Sequence, residues 1–450
     1  MASTWQTHNC IRLPVGQTYR NSSINREYSS VNIALKFTLR FYIVSLFLLL
    51  LSLTSTVVVQ AQGDIWKRHI IDSSFSGADG VRLADVNNEN LPDITTGWEE
   101  GGYTKVYLHP GYSLVRQQWP SVIVGKTPSV EDAVFMDFDN DGALDVVSST
   151  EGNNKRIYIN LAPDNPGDYL DSAKWTSEVL PASDGLMQWM FAVPAQIDGI
   201  NGVDIIAGAK GGDAKIGWFQ APEDPNKLSD WKWYPVSPAT WIMSIILRDM
   251  DSDGDMDIVT SDRKPGDSNG IRWLENPGET TKQKQAWKNH FIGARDFEVM
   301  FMDIADLDGD GLEDAIATEY TNQKIVFFRR LDNSGVRWQS YNIDIPKNNG
   351  RAKSVKAGDI NGDGKPDLVH STNTLEDDSK VGLVWLSYKN SPADPEWEWH
   401  HISGPVGYKF DLVELLDLDG DGDLDVLTCE ENYGKDSRGL GVIWYENPFK

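Results

Sequence analysis

The sequence predicts an all-β chain: a seven-bladed β-propeller of four-stranded antiparallel blades, closed by pairing the N-terminal strand with the last blade. Three observations carry this prediction. A nine-residue phrase, Asp137-Phe-Asp139-Asn-Asp141-Gly142-Ala-Leu-Asp145, recurs in intact copies starting at Asp249, Asp306, Asp359 and Asp417, with an eroded copy at Asp85 and a degraded one at Gln196. A strand pattern, Trp-x-x-His/Tyr-x-Ile/Val, recurs with it at a period of about 50–60 residues. The two ends of the repeating region carry complementary fractions of one unit.

The first residues are a different text. A polar leader precedes Lys36 and Arg40, and an apolar run extends from Phe41 to Leu53. Val59-Gln60-Ala61 then supplies the small or apolar residues a signal peptidase needs, so cleavage is expected before Gln62. As a membrane span the run is short against the roughly 20 residues required. Residues 1–61 are therefore read as a leader with a signal peptide, with an N-terminal anchor as the alternative, and residues 64–450 as one propeller. The protein is expected to be exported (secreted, periplasmic or at the cell surface), monomeric, and in contact with a membrane only through an uncleaved leader. Only Cys10 and Cys429 occur, so the mature chain forms no internal disulfide.

Each repeat has the same parts in the same order. The Trp strand appears at Trp66-His69-Ile71, Trp231-Tyr234-Val236, Trp287-His290-Ile292, Trp338-Tyr341-Ile343 and Trp397-His400-Ile402. A variable loop follows, then an apolar run such as Ile242 to Leu247, then the Asp loop, then a second apolar run such as Asp257-Ile-Val259. A third strand closes the unit, as in Ile271 to Leu274, Val384 to Leu386 and Val442 to Tyr445. Their β-branched and aromatic content, bounded by Gly, Asn, Asp and Pro, marks these segments as strands. Because the chain begins with a Trp strand and ends on a third strand, pairing the two removes the open sheet edges of a linear array. His69, His290 and His400, like Trp273, Trp385 and Trp444, belong to this repeat pattern and read as packing residues.

The Asp loop reads as a calcium cage. Carboxylates at positions 1, 3, 5 and 9, a backbone carbonyl near position 7 and Gly at position 6 suit the six to eight oxygens that Ca²⁺ takes. The expected ligands are Asp137, Asp139, Asp141 and Asp145; Asp249, Asp251, Asp253 and Asp257; Asp306, Asp308, Asp310 and Asp314; Asp359, Asn361, Asp363 and Asp367; and Asp417, Asp419, Asp421 and Asp425. The Asp85 copy keeps oxygens, with Asn90 in place of Gly, and is expected to be a weak sixth site. The Gln196 copy has lost a carboxylate to Ile200 and is expected to bind nothing. Turns alone would also favour Asp, but four like charges within nine residues repel without a cation. A cage built from one loop leaves little open coordination and reads as structural.

The loops at the other end of each blade are then the working surface. Six residues beyond the last Asp of each copy stand Glu99, Glu151, Lys210, Arg263, Tyr320, Asn373 and Glu431, with Trp98, Asp262, Glu319 and Glu430 one residue earlier. Loops entering the first strand add Asp79, Glu131, Asp132, Gln188, Trp189, Trp241, Glu298, Lys353, Lys356, Lys409 and Asp411. The residues expected to bind ligand are Trp98, Glu151, Trp189, Lys210, Trp241, Arg263, Tyr320, Lys353 and Glu431. Loop residues are polar by default; the Trp rings are what set this face apart, as platforms for a sugar ring or a partner's apolar anchor.

In its Asp-x-Asp-x-Asp-Gly-x-x-Asp loops followed by apolar residues, in seven blades after a signal peptide, the chain resembles the FG-GAP/VCBS-repeat propellers, a superfamily that includes the integrin α-subunit head. The resemblance covers roughly residues 64 to 450 and implies fold and metal more than function, because the family contains adhesion modules, carbohydrate-binding proteins and some polysaccharide lyases. Two functions follow as expectations. One is a calcium-stabilised module binding an extracellular polysaccharide or protein through the face opposite the calcium loops. The alternative is a lyase acting by β-elimination on a uronic-acid-containing glycan, with Arg263, Lys210 or Lys353 as the cation and Tyr320, His370 or a Lys as the base. A hydrolase using two carboxylates is also open, but the abundance of Asp and Glu prevents the choice of a pair. The formal charge of −26 and the lack of a basic tract weigh against nucleic acid.

Overall fold

The computed structural model describes residues 65–375, 377–431 and 439–450. The leader, its cleavage site and Cys10 lie outside the described residues. Among those described, no helix is long and apolar enough to cross a membrane.

The strands form seven four-stranded antiparallel sheets. Blades one to six span Ala78–Lys126, Val130–Val179, Gln188–Pro238, Ile242–Gly293, Val299–Asp344 and Arg351–His401, and each is an up-and-down meander whose first strand is innermost. Blade seven takes three strands from the C-terminal end, Phe410–Leu416, Asp425–Glu430 and Gly441–Glu446, and its outermost strand, Lys67–Asp72, from the start of the described chain. The register sets Lys67 opposite Glu446 and His69 opposite Trp444. The expected closure is therefore the one that forms. The recurring Trp strand is the outermost strand of each blade, and the Asp loop joins the innermost strand to the second.

One position shows how neighbouring blades fit. Four residues past each loop's last Asp, the second strand carries Gly97, Ser149, Gly208, Ser261, Thr318, Ser371 and Cys429, small side chains without exception. At Gly208 an added Cβ would meet Ile242 of the next blade at 2.7 Å, and at Gly97 it would meet Val130 at 2.8 Å. The innermost strand of the following blade occupies that space. Thr318 and Ser371 use the same closeness to donate to the carbonyls of Lys353 and Asp411 at 2.7 Å. The buried Cys429 is thus a packing residue.

The Trp and His of the repeat meet as cross-strand pairs. His69 stacks on Trp444, His290 on Trp273 and His400 on Trp385, with centroids 4.4, 4.0 and 3.9 Å apart. The glutamates after the third strand complete two of these pairs: Glu446 lies 2.7 Å from His69 Nε2, and Glu275 lies 2.6 Å from His290 Nε2. Aromatic pairs of this kind add about 0.5–1.5 kcal/mol beyond area burial. They tie the outer strand to the third in three blades.

Candidate functional site

Each blade has two working ends. At one lie the Asp loops, four of which share one turn chemistry. In the loop at Asp249, the position-1 carboxylate accepts from Asp253 N at 3.1 Å and Gly254 N at 3.0 Å, and the loops at Asp306, Asp359 and Asp85 repeat this pair of bonds. Two residues per loop lie in the left-handed region. Gly254 at position 6 has φ 99° and Ser252 at position 4 has φ 65°; Asn90 serves in the eroded copy with φ 60°. The position-4 turn was not read from the sequence, although Asn or Gly at four of the five intact copies signals it.

The position-9 Asp does more than line the loop. Asp257 is buried; its Oδ2 accepts from Met250 N at 2.8 Å and its Oδ1 from Asn276 N at 2.7 Å. The same latch recurs at Asp145, Asp314 and Asp425, and also at Asp93 and Asp204 in the altered copies. Burial, followed by repulsion from the other loop carboxylates, pushes the carboxyls of Asp145, Asp257, Asp314, Asp367 and Asp425 up to about 7 despite these bonds.

The loops fit a hard cation. One oxygen each from Asp137, Asp139 and Asp141, from Asp249, Asp251 and Asp257, and from Asp306, Asp308 and Asp314 come within 4.8 Å of one another. Asp137 Oδ1, Asp139 Oδ1 and Asp251 Oδ1 are buried without a hydrogen-bond partner. In the degraded copy the protein supplies its own substitute. Gln196 Nε2 donates at 2.6 Å to the carbonyl of Gly202, the position-7 oxygen, and Gln220 donates to Asp198.

At the opposite end the blades enclose a cavity of about 240 Å³ on the propeller axis. All seven residues found by counting six past the last Asp line it: Glu99, Glu151, Lys210, Arg263, Tyr320, Asn373 and Glu431. Asp79, Glu131, Lys353 and Asp411, expected on loops, reach it from the first turns of the innermost strands themselves, and Trp241 and Lys409 from just before such strands. Of the nine residues expected to bind ligand, seven therefore converge there.

Trp98 and Trp189 do not. Both are fully buried; Trp98 Nε1 donates to the Tyr107 hydroxyl at 2.9 Å, and Trp189 Nε1 to the Ser183 carbonyl at 3.1 Å, with the ring packed on Phe219 and Trp233. The reason for Trp98 is the two-residue period of a strand, which turns it away from the face its neighbour Glu99 presents. Two of the other residues one place earlier hold incoming loops, whereas Glu319 accepts from Thr321 N at 3.0 Å in the loop that follows it. Asp262 accepts from Trp241 N at 2.8 Å and Glu430 accepts from Tyr408 N and Lys409 N at 2.9 and 3.0 Å, so they hold the incoming loops rather than a ligand. Asp132, Gln188, Glu298 and Lys356 lie outside the lining. Asp132 is paired instead with Arg82 at 2.9 Å, and Glu298 with Arg263 at 2.7 Å. His370 is buried, with Nδ1 2.9 Å from the Ser354 carbonyl, and is not part of the cavity.

The lining is polarised. Acids come from blades seven, one and two, where oxygens of Asp79, Asp411 and Glu431, and separately of Glu99, Glu131 and Glu151, approach within 4.8 Å. Lys353 bridges Asp411 at 3.3 Å and Glu431 at 2.8 Å; Lys409 reaches Glu431 at 2.8 Å; Lys210 lies 3.2 Å from Glu131 and pairs with Glu151. Burial and the neighbouring Asp411 and Glu431 push the Asp79 carboxyl well up, whereas Lys353, a hydrogen bond from Asp79 and Lys409 outweigh burial and hold Asp411 down. Burial, together with Glu131, Glu100 and Glu431 and against a weaker pull from Lys409, pushes the Glu99 carboxyl up to about 8. The remaining arc is cationic and aromatic. Lys210 Nζ and Arg263 Cζ stand 4.6 and 4.5 Å from the Trp241 centroid, while Arg263 and Arg351 stand 4.9 and 5.3 Å from Tyr320. Trp241 is thus a support for cations more than a bare platform for sugar.

A family model recognises one stretch of the repeat region. Residues 306–370 match the model of the FG-GAP-like repeat, a stretch that starts on the Asp306 loop and ends past Asp367. The chain is a seven-bladed propeller that carries this repeat. No curated protein gives a significant match. Among solved structures, one provisionally described as a gluconolactonase aligns at 7% identity with a TM-score of 0.39, over 88% of this chain and 97% of that one.

Proposed function

We propose that this protein is an exported, calcium-stabilised propeller that binds an extracellular polysaccharide or protein through the face opposite its Asp loops. The observation that carries the reading is the convergence of one equivalent position from all seven blades on a single axial cavity. Those positions share a backbone place and differ in chemistry, from Glu99 to Arg263 to Tyr320. Repetition keeps the scaffold; divergence is confined to one mouth.

The geometry supports binding better than the lyase alternative. β-Elimination needs a cation to hold the uronate carboxylate and a base at the adjacent carbon. Every cation lining the cavity already lies against a carboxylate of the protein. His370 is sealed away and the lining lysines are ion-paired, which leaves Tyr320 as the base candidate that reaches the cavity. The Asp loops would hold calcium through the ligands named above and would act by stiffening the turns, at the end of the blades remote from the cavity.

The test is binding of the purified protein to panels of polysaccharides and extracellular proteins, with Arg263→Ala, Tyr320→Ala and Glu151→Gln in parallel. Loss of binding in these variants, with melting curves unchanged, supports the assignment. Binding that survives all three overturns it.

A further inference from the structure

We infer that the cavity takes one uncharged sugar unit at the end of a glycan chain, an assignment that rests on the binding function proposed above and narrows its ligand. The first argument is shape. At about 240 Å³ the cavity is smaller than the roughly 300–1,000 Å³ of pockets for drug-sized ligands. It is also blind. Met190, Phe191, Met243, Met300, Phe301 and Leu412, all from innermost strands, form an apolar floor. Phe191 and Phe301, from blades three and five, meet there with ring centroids 6.2 Å apart, and Arg82 of blade one, paired with Asp132 at 2.9 Å, lies 5.8 Å from the Phe191 centroid. A chain interior needs a groove open at two ends; a blind cavity at a propeller mouth admits an end.

The second argument is charge. Lys210, Arg263, Lys353 and Lys409 are the lining cations, and each has a carboxylate partner at 3.3 Å or closer. An acidic sugar would have to displace one of these partners, leaving a half-buried carboxylate uncompensated. A cationic sugar would likewise have to compete with a lysine for Glu131, Glu151, Asp411 and Glu431, while burial and acidic neighbours drive the other two lining acids, Asp79 and Glu99, toward their neutral forms. Hydroxyl groups, each a donor and an acceptor, instead match a lining that offers carboxylates on one arc and cationic groups, the Asn373 amide and the Tyr320 hydroxyl on the other. The apolar floor then faces the carbon side of the ring.

The experiment is calorimetric titration of the full chain with neutral gluco-, manno- and galacto-oligosaccharides of two to ten units. The same chains are then tested after oxidation of the terminal C6 to a carboxylate. The expected result is an affinity per chain that is constant within about twofold across the length series for the recognised sugar. Terminal oxidation should cost at least tenfold, and Glu151→Gln should weaken the neutral chain. Affinity that climbs steadily with length overturns the chain-end assignment, and oxidised chains binding as tightly as neutral ones overturn the charge assignment. Binding to extracellular proteins in the panel above, with none to any oligosaccharide, overturns this inference while leaving the binding face intact. No ligand in either experiment overturns both.

Discussion

Lys353 and Glu431 form a 2.8 Å ion pair across the junction of blades six and seven, and both are buried. Asp411 at 3.3 Å from the same ammonium makes the lysine the hub of the acidic wall. Removing one partner of such a pair leaves an uncompensated buried charge and costs roughly 3–5 kcal/mol. Lys353→Met is therefore expected to lower stability by about that amount, measured by urea unfolding. Adding Glu431→Gln to it is expected to cost less than the sum of the two single changes.

Glu99 is a lining acid set among other acids. Its carboxyl is pushed from 4.5 up to about 8, so the folded protein holds a proton there that the unfolded chain releases. The stability it contributes is complete below pH 4.5 and is lost as pH rises through about 8. Ligand binding is expected to weaken over the same upper range, as a neutral hydrogen-bonding group becomes an anion beside Glu131. Glu99→Gln, which cannot ionise, should flatten the alkaline side of both profiles; titrations from pH 6 to 9 read this directly.

His370 works in the opposite direction. Burial pushes its imidazole down from 6.5 to about 4, so the unfolded chain binds the proton more readily. Its contribution is complete above pH 6.5 and declines as pH falls through about 4, by up to about 3 kcal/mol on the usual conversion of pKa difference to free energy. Urea midpoints of His370→Gln, compared with the parent between pH 4 and 7, should show a shallower acid decline.

The Asp loops separate two effects. Chelation of divalent cations is expected to lower the melting temperature, and added calcium to restore it, since each site contributes about 2.7 kcal/mol at a hundredfold excess over its Kd. Asp251→Asn should weaken this response. Asp204→Ala should leave it unchanged, because that loop holds Gln196 where a cation would go. It should nevertheless destabilise the fold by about 1.5–3 kcal/mol per lost charge-assisted bond from Ile197 N and Ala221 N. Thermal melts with and without chelator check both.

The blade count, the closure and the cavity wall were legible because the Asp phrase acts as a fixed reference: Asp425 plus six is Glu431 as surely as Asp93 plus six is Glu99. What failed was the step of one residue. Trp98 drew attention as an aromatic on a loop, yet it is the last residue of a strand and points into the core, while Glu99 beside it reaches the cavity. Trp189 failed for a related cause, since Gln188–Ala195 begins before it and makes it a strand residue. The pairing of Arg82 with Asp132, fifty residues apart, and the apolar floor of Met and Phe have no local signal. They arise only when innermost strands of different blades are brought to one axis.

Closure through Lys67–Asp72 also sets an order of events in time. That strand has its partner in Gly441–Glu446, at the other end of the described residues and made long after it. A ribosome adding roughly 5–20 residues per second leaves the first strand without its ladder for some tens of seconds. Blades one to six can form in sequence during that wait, each beside its predecessor. The ring itself is completed in a single late step, and during the interval an unpaired edge carrying Ile70 and Ile71 is open to any other strand it meets.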